Sequence, residues 1–226
     1  MFKLNDVVPW GRSLDEYQRM FALTGADLCR RTLGCADGPA SFNAEATAVG
    51  CSIVSCDPLY RFRGDEIRNR IDQTFLTVME QTRKNADEFV WTSDLPDVEA
   101  LGQRRMSTMM TFLNDYDAGK ASDRYVDAEL PHLPFADNSF EIAVCSHFLF
   151  LYSEHLSEGF HVESILELCR VSQEVRIFPL LKLGGLPSQH LPAVTNQLRE
   201  TGLNFEIKKV DYEFQRGGNE MMHVWH

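Results

Sequence analysis

The chain has 226 residues, of which 44% are hydrophobic and 24% charged, a composition typical of a folded globular protein rather than a disordered one. No apolar stretch approaches the roughly 20 residues that a membrane-spanning helix needs, and the first residues lack the basic-then-apolar order of a signal peptide. The formal net charge is −11 and the basic residues are scattered, which excludes a long nucleic-acid interface. The sequence therefore predicts a cytoplasmic protein with no membrane or nucleic-acid partner.

The cysteines do not form a recognisable ligand set. They lie at positions 29, 35, 51, 56, 145 and 169, without a C-x-x-C pair and without a histidine at ligand spacing. In a cytosolic chain such cysteines are mostly reduced core residues. We therefore expect no metal site.

A helix is predicted to begin at Ser13, near the start of the chain. Ser13 and Glu16 have the spacing of a capping box. Tyr17, Met20 and Phe21 then recur at helical spacing and form one apolar face. This face either packs into the core or covers a ligand as an N-terminal lid.

The next segment has the order of a parallel-sheet unit. A short helix is predicted at 26–30, and residues 31–35 lead into a glycine-containing turn. Small residues at 40–49 predict a helix that Gly50 ends, and residues 51–56 read as a strand. Strand, turn, helix and strand in this order are typical of a βαβ unit.

Residues 60–121 are dominated by helical periodicity, broken near Pro96. We predict three helices here, more than the single helix that a sheet crossover requires. The segment is therefore interpreted as a helical insertion that acts as a lid or substrate region. Its aromatic side chains either form the roof of an apolar pocket or pack the insertion onto the sheet.

The rest of the chain alternates strands and helices. Strands are predicted at 124–126, 140–146 and 174–178, helices at 161–170 and 192–201, and closing strands at 205–210 and 221–225. The closing strands are separated by a glycine-containing turn and read as an antiparallel hairpin. The sequence has no repeat and no obvious linker, so we predict one α/β domain over residues 1–226.

Small residues in the turn at 33–41 allow the backbone to approach a ligand where a helix begins. Asp57 ends the next predicted strand, about 20 residues beyond Gly34, where an acid is placed to hold ribose hydroxyls. The combination indicates a nucleoside-containing ligand. It fits NAD as well as S-adenosylmethionine.

Residues in the middle of the chain distinguish between these two candidate ligands. Asp127 and Ala128 follow a predicted strand, and the run L-P-F-A-D-N-S-F-E at 133–141 leads into the strongest strand. In these features the sequence resembles the class I S-adenosylmethionine-dependent methyltransferases, especially the small-molecule, type 11-like branch. The resemblance implies a doubly wound, Rossmann-like sheet of seven strands, with six parallel strands and the last strand antiparallel.

The resemblance also implies a set of cofactor-binding positions. The turn formed by Gly34, Cys35, Ala36, Asp37 and Gly38 would pass beneath the methionine part of S-adenosylmethionine. The remaining positions are Asp57 for the ribose, Pro58 and Leu59 beside the adenine, Asp127 for the adenine amino group, Ala128 for the adenine ring, and Ser146 and His147 facing the methyl group.

One departure from the family pattern concerns the turn. Gly34 stands where the family usually has an acid that helps to position the cofactor's amino group, and Ala36 stands where it usually has glycine. Asp37 is a candidate to replace the missing acid from a different position in the chain.

His147 is the best catalytic candidate by position, because a histidine can remove a proton from a nucleophile near neutral pH. The alternative is a histidine that only lines the pocket.

The sequence predicts methyl transfer to a small-molecule acceptor, with S-adenosylhomocysteine as product. A cofactor-binding scaffold or regulator without transfer activity is the second hypothesis. An NAD-dependent oxidoreductase is disfavoured by Asp127, Ala128 and the closing hairpin. The oligomeric state stays open.

Overall fold

The computed structural model describes residues 8–226, and its centre is one seven-stranded sheet. The strands are β1 (Thr32–Cys35), β2 (Ile53–Cys56), β3 (Tyr125–Val126), β4 (Phe140–Ser146), β5 (Ser172–Phe178), β6 (Asn204–Lys209) and β7 (Glu220–Trp225). Their order across the sheet is β3-β2-β1-β4-β5-β7-β6. Only β7 runs antiparallel to its neighbours β5 and β6. The predicted α/β sheet of six parallel strands and a last antiparallel strand is therefore confirmed.

The order of the strands reverses beside β1, which pairs with β2 on one side and with β4 on the other. In the register of these three strands, Cys35 lies opposite both Cys56 and Cys145. Parallel strands that are buried on both faces read as continuous apolar runs, which explains why β4 was readable from sequence. The crevice outside the carboxyl ends of such strands is where doubly wound sheets bind ligands.

Residues 8–226 contain six α-helices, of which the first precedes β1 and the other five lie between strands. They are α1 (Leu14–Phe21), α2 (Phe42–Ala48), α3 (Gly64–Lys84), α4 (Val98–Ala121), α5 (Glu158–Val171) and α6 (Leu191–Glu200). The capping box at the start of α1 is present as predicted, with the Ser13 hydroxyl and the Glu16 carboxylate satisfying each other's backbone N–H groups. The short helix predicted at 26–30 is a single 3-10 turn, Asp27–Cys29. Within residues 8–226 no helix has both the length and the hydropathy that a bilayer crossing requires.

The segment at 60–121 contains two long helices and one 3-10 turn, Ala86–Glu88, instead of the three helices predicted. The helix α4 packs against α2 and β3, so it also serves as the ordinary crossover helix between β2 and β3. The additional elements are α3, which packs on α4, and the loop at 85–97 that joins them. Periodicity alone could not separate a crossover helix from an inserted one.

Most of the aromatic side chains of this segment pack rather than line a pocket. Tyr60, Phe112 and Tyr116 are completely buried in a cluster with Tyr125 of β3, with ring centroids 5.1–5.9 Å apart. Aromatic contacts at these distances stabilise beyond the area they bury. This cluster joins α3 and α4 to the edge of the sheet.

A buried ion pair joins α1 to α4. Both guanidinium nitrogens Nη1 and Nη2 of Arg105 donate to the Glu16 carboxylate at 2.6 Å, and both side chains are almost inaccessible to solvent. The Tyr212 hydroxyl donates to the same carboxylate at 3.0 Å. Burial alone would raise the pKa of Glu16, but the charge and hydrogen bonds of Arg105 outweigh it and lower that pKa to about 2. Glu16 is therefore ionised throughout the physiological range.

We expect Glu16→Gln to lower the free energy of unfolding by about 3–5 kcal/mol, because it leaves the Arg105 cation buried without a counter-charge. The exposed ion-pair variant Glu99→Gln is the control and should change little. The Glu16 carboxylate stabilises the fold above pH 4.5, and this contribution disappears as the pH falls through about 2. Urea unfolding from pH 2 to pH 7 measures both effects. A constant difference between parent and variant across that range would contradict the role of the charge.

Candidate functional site

A cavity of about 590 Å³ lies outside the carboxyl ends of β1, β2 and β4, at the place where the strand order reverses. Most of the predicted site residues line this cavity: Cys35, Ala36, Asp37, Gly38, Asp57, Pro58, Ala128, Ser146 and His147. Gly34, Leu59 and Asp127 do not line it. A volume of this size lies within the range of small-molecule sites in proteins.

The turn after β1 has a fixed backbone shape. Ala36 and Gly38 both adopt positive φ, at 56° and 53°. The family pattern has glycine at position 36, and the left-handed backbone there supports the register inferred from sequence. The Gly38 N–H donates to Asp57 Oδ2 at 2.8 Å, and the Gly38 carbonyl accepts from the Tyr60 hydroxyl at 2.7 Å. Both polar groups of Gly38 are therefore held by neighbouring elements.

Asp37 occupies the space beside Gly34. A Cβ atom added at Gly34 would lie 1.9 Å from Asp37 Oδ2 and 2.6 Å from its Cγ, distances that no side chain tolerates. The Asp37 carboxyl accepts from the Tyr17 hydroxyl at 2.7 Å and from the Ser55 hydroxyl at 2.6 Å. The carboxyl thus lies where a side chain of residue 34 would begin. Gly34 has no side chain because Asp37 fills that volume.

Two carboxyls face the cavity: Asp37, which is buried, and Asp57, which is half-buried. Burial raises the pKa of Asp37 to about 7, against the opposing effect of the Ser55 and Tyr17 hydroxyls. Burial also raises the pKa of Asp57 to about 6, against the N–H groups of Leu59 and Gly38. Each partner of these carboxyls is a hydroxyl or a backbone amide. A cation entering the cavity would favour the ionised form of both.

Asp57 shapes the site as well as lining it. Its Oδ1 accepts from the Leu59 N–H at 2.7 Å and caps the 3-10 turn Pro58–Arg61, while Oδ2 holds the Gly38 N–H. Each carboxylate oxygen has two acceptor sites, so one remains on each oxygen for a ligand. Leu59 contributes its amide to this capping and lies outside the cavity lining.

Asp127 lies at the rim rather than in the cavity. Its side chain is 45% exposed and forms an ion pair with Arg61 at 3.5 Å. The neighbouring Ala128 and Glu129 line the cavity instead. The sequence did not single out Glu129.

Ser146 and His147 end β4 at the opposite wall. The Ser146 hydroxyl lies 2.9 Å from His147 Nδ1, and the His147 N–H donates to the Phe178 carbonyl at 2.6 Å. His147 adopts a positive φ of 52°, which turns the chain sharply out of the strand. Burial, together with the charges of Arg12 and Arg105, lowers the pKa of His147 well below its usual value. The imidazole is therefore neutral at physiological pH.

The cavity extends beyond the predicted positions into a largely apolar chamber. The residues that line it and that the sequence did not identify include Val8, Trp10, Arg12, Val78, Leu101, Glu129, Phe148, Leu183 and Phe214. Tyr152, a weaker catalytic candidate from the loop after His147, also lines it. They come from segments far apart in the chain, so no local pattern could have shown that they meet. Tyr17 lines the cavity, whereas Met20 and Phe21 pack in the core. In the part of the chain that the structure describes, no group of three or more His, Cys, Asp or Glu side chains is arranged to hold a metal ion.

The strand order, the closing antiparallel strand and the cavity at the strand ends define the Rossmann-like fold of the class I S-adenosylmethionine-dependent methyltransferases. The uncharacterized protein MJ0045 of Methanocaldococcus jannaschii is 35% identical over 221 residues, which cover 97% of this chain and 96% of the relative. The chain belongs to the same family as this archaeal protein. No protein-family model matches the chain.

Solved structures of similar shape carry little sequence similarity. The magnesium protoporphyrin IX methyltransferase of Synechocystis PCC 6803, solved with bound S-adenosylmethionine, is 8% identical; the match covers 94% of this chain and 77% of that chain, with a TM-score of 0.49. A S-adenosylmethionine-dependent methyltransferase of Aquifex aeolicus is 14% identical; the match covers 94% and 87%, with a TM-score of 0.44. Likeness at this level says nothing about the substrate of the present chain.

We expect Asp37→Asn to stabilise the ligand-free protein above pH 7. The folded protein holds a proton on Asp37 up to about pH 7, whereas an unfolded aspartate releases it near 3.8. The free energy of unfolding of the parent therefore falls between these values as the pH rises, and the asparagine variant avoids that loss. Thermal unfolding should show a gain of at least ~2 °C at pH 8, since each kcal/mol corresponds to roughly 2–4 °C in a chain of this size. A gain of equal size at pH 4 would contradict this explanation.

We expect Gly34→Asp to destabilise the protein, because the new Cβ meets the Asp37 carboxyl. The double variant Gly34→Asp with Asp37→Ala should recover most of the lost melting temperature. It removes the carboxyl of residue 37 and supplies one from residue 34, so only one carboxyl occupies this volume. Melting curves of the two single variants and the double variant form a cycle that measures this coupling. Additive effects would show that the two positions do not share one volume.

Proposed function

We propose that this protein transfers a methyl group from S-adenosylmethionine to a small-molecule acceptor and releases S-adenosylhomocysteine. The observation that carries the proposal is the cavity at the strand ends, where the glycine turn and two carboxyls, the buried Asp37 and the half-buried Asp57, face one space. The acidic chain and the enclosed, largely apolar chamber suit a small acceptor rather than a nucleic acid.

The residues present fit such a cofactor. Asp57 retains one acceptor site on each oxygen for the two ribose hydroxyls. Asp37 offers a buried carboxyl, without a cationic partner among residues 8–226, to the methionine ammonium group. Pro58 and Ala128 line the cavity where the adenine would lie. Asp127 lies at the rim and pairs with Arg61. Glu129, next to Ala128, therefore provides an acid at this end of the cavity.

When bound, S-adenosylmethionine supplies a methyl group on a positively charged sulfonium. The task of the protein is then mainly to hold the acceptor in line with that methyl group and to exclude water. His147 lies in the cavity wall and remains the candidate to accept a proton from an acceptor that must lose one, although its lowered pKa makes the imidazole a weak base until a bound carboxylate offsets the charges of Arg12 and Arg105. Val78 and Leu101 of the helical segment line the chamber and would contact the acceptor.

A binding protein without transfer activity, acting as a scaffold or regulator, is the alternative. The glycine at position 34, in place of the family's usual acid, favours this alternative, whereas the Asp37 carboxyl close to the same volume favours methyl transfer. Incubation of the protein with methyl-labelled cofactor and a mixture of metabolite fractions distinguishes the two. Label in an acceptor supports transfer, whereas tight cofactor binding without labelled product in any fraction favours the alternative.

We expect Asp57→Ala to weaken S-adenosylhomocysteine binding about tenfold to hundredfold, because the ribose hydroxyls lose a charged acceptor. Asp72→Ala, an exposed aspartate on α3, is the matched control and should bind like the parent. Isothermal titration calorimetry with S-adenosylmethionine, S-adenosylhomocysteine and NAD measures the constants. Because Asp57 also holds the turn, circular dichroism and melting temperature must show a folded variant. Unchanged affinity in that folded variant, or a parent that prefers NAD, would refute the assignment.

A further inference from the structure

Arg12 is a buried cation in the wall of the cavity. Its side chain is only 9% exposed, and it lies just before α1, where its backbone carbonyl accepts from the Ser41 N–H at 3.1 Å. Nη1 donates to the Trp10 carbonyl at a long 3.3 Å, and the buried Nε has no hydrogen-bond partner. Within residues 8–226 the Arg12 guanidinium forms no ion pair. The Tyr212 hydroxyl and the charge of Glu16 offset part of the cost of burying this cation, and a ligand that forms an ion pair with it would offset the rest.

The nearest carboxylate is already fully used. The charge of Glu16 acts on both buried guanidinium groups, those of Arg105 and Arg12. Both of its oxygens, however, accept hydrogen bonds from Arg105 at 2.6 Å. The same two oxygens also accept from the Tyr212 hydroxyl and the Ser13 N–H. Among residues 8–226 this cluster contains two cations and one anion, and Glu16 and Tyr212 compensate the charge of Arg12 only in part. Burial and the repulsion from Arg105 accordingly lower the pKa of Arg12.

The position of Arg12 suits a ligand that enters the cavity. The guanidinium lies in the same wall as Tyr17, which donates to Asp37, and as Tyr152, which follows His147 along the chain. The same cavity lining includes Asp37, proposed to hold the ammonium group of the cofactor, and the apolar side chain of Trp10. A guanidinium with free donors recognises a carboxylate in a bidentate manner better than any other side chain does.

We propose that Arg12 is the carboxylate-binding residue of this cavity. The inference rests on the proposed function for the identity of its ligands. Two carboxylates have the required chemistry: the one at the methionine end of the cofactor, and the acid group of an apolar acceptor in the chamber. In the first case Arg12 and Asp37 together bind both charged groups of an amino acid. In the second case the acceptor is an aromatic or aliphatic carboxylic acid.

The test uses Arg12→Gln, with Arg63→Gln as a control at an exposed arginine that pairs with Asp65 and does not line the cavity. Calorimetry compares S-adenosylhomocysteine with 5′-deoxy-5′-methylthioadenosine, which keeps the adenine, ribose and sulfur but lacks the amino-acid end. A second series titrates benzoate, phenylacetate and indole-3-acetate, each beside its uncharged amide. Arg12→Lys keeps the charge and loses the bidentate geometry, so it decides the question if the glutamine variant fails to fold.

A loss of about tenfold to hundredfold for S-adenosylhomocysteine in Arg12→Gln, with methylthioadenosine binding unchanged, identifies the methionine carboxylate. Unchanged S-adenosylhomocysteine binding, with loss of the parent's preference for an acid over its amide, identifies an acceptor acid. In either case Arg12→Lys should lose affinity several-fold for the same ligand. Folded variants that bind every probe like the parent overturn the proposal.

The failure of the proposed function gives a different result. A parent that binds neither S-adenosylhomocysteine nor methylthioadenosine refutes the cofactor assignment, whereas the acid and amide series still reports on Arg12. A parent that binds methylthioadenosine but shows no contribution from either kind of carboxylate supports the nucleoside site and overturns the inference on Arg12.

Discussion

The walls of the cavity depend on one buried ion pair, between Glu16 and Arg105. The helix α1 precedes the sheet and shares no strand hydrogen bonds with it, so its position must come from side-chain contacts. The two charge-assisted hydrogen bonds fix α1 against α4, and the Tyr212 hydroxyl adds the chain segment before β7. Arg12 immediately precedes this helix and Tyr17 lies on it, so the contact also helps to set the position of both residues in the cavity wall.

The fold could be predicted from sequence largely because its signals are local. The capping box of α1, the apolar run of β4 and the turn before β7 each specify an element over a few residues. The role of α4 could not be predicted in this way. A crossover helix and an inserted helix have the same period of 3.6 residues, and only packing against α2 and β3 separates them.

The residues of the site can also be divided into those that local sequence predicts and those that meet only through tertiary packing. Ala36, Gly38 and Asp57 were predictable because the ends of β1 and β2 bring them to one edge of the sheet. Asp127 was assigned by the same reasoning, yet its side chain points to solvent and pairs with Arg61, since β3 has only two residues and the chain leaves the sheet at once. Arg12 and Phe214 lie far apart in sequence and meet through tertiary packing, so nothing local predicts either.

The carboxyl of Asp37 occupies the volume where a side chain of residue 34 would begin, so two positions three residues apart in sequence compete for one place in space. A comparison of this turn by sequence position alone would record a mismatch wherever a related chain carries its acid at the other of the two positions. A comparison of coordinates would find a carboxyl in the same place in both chains.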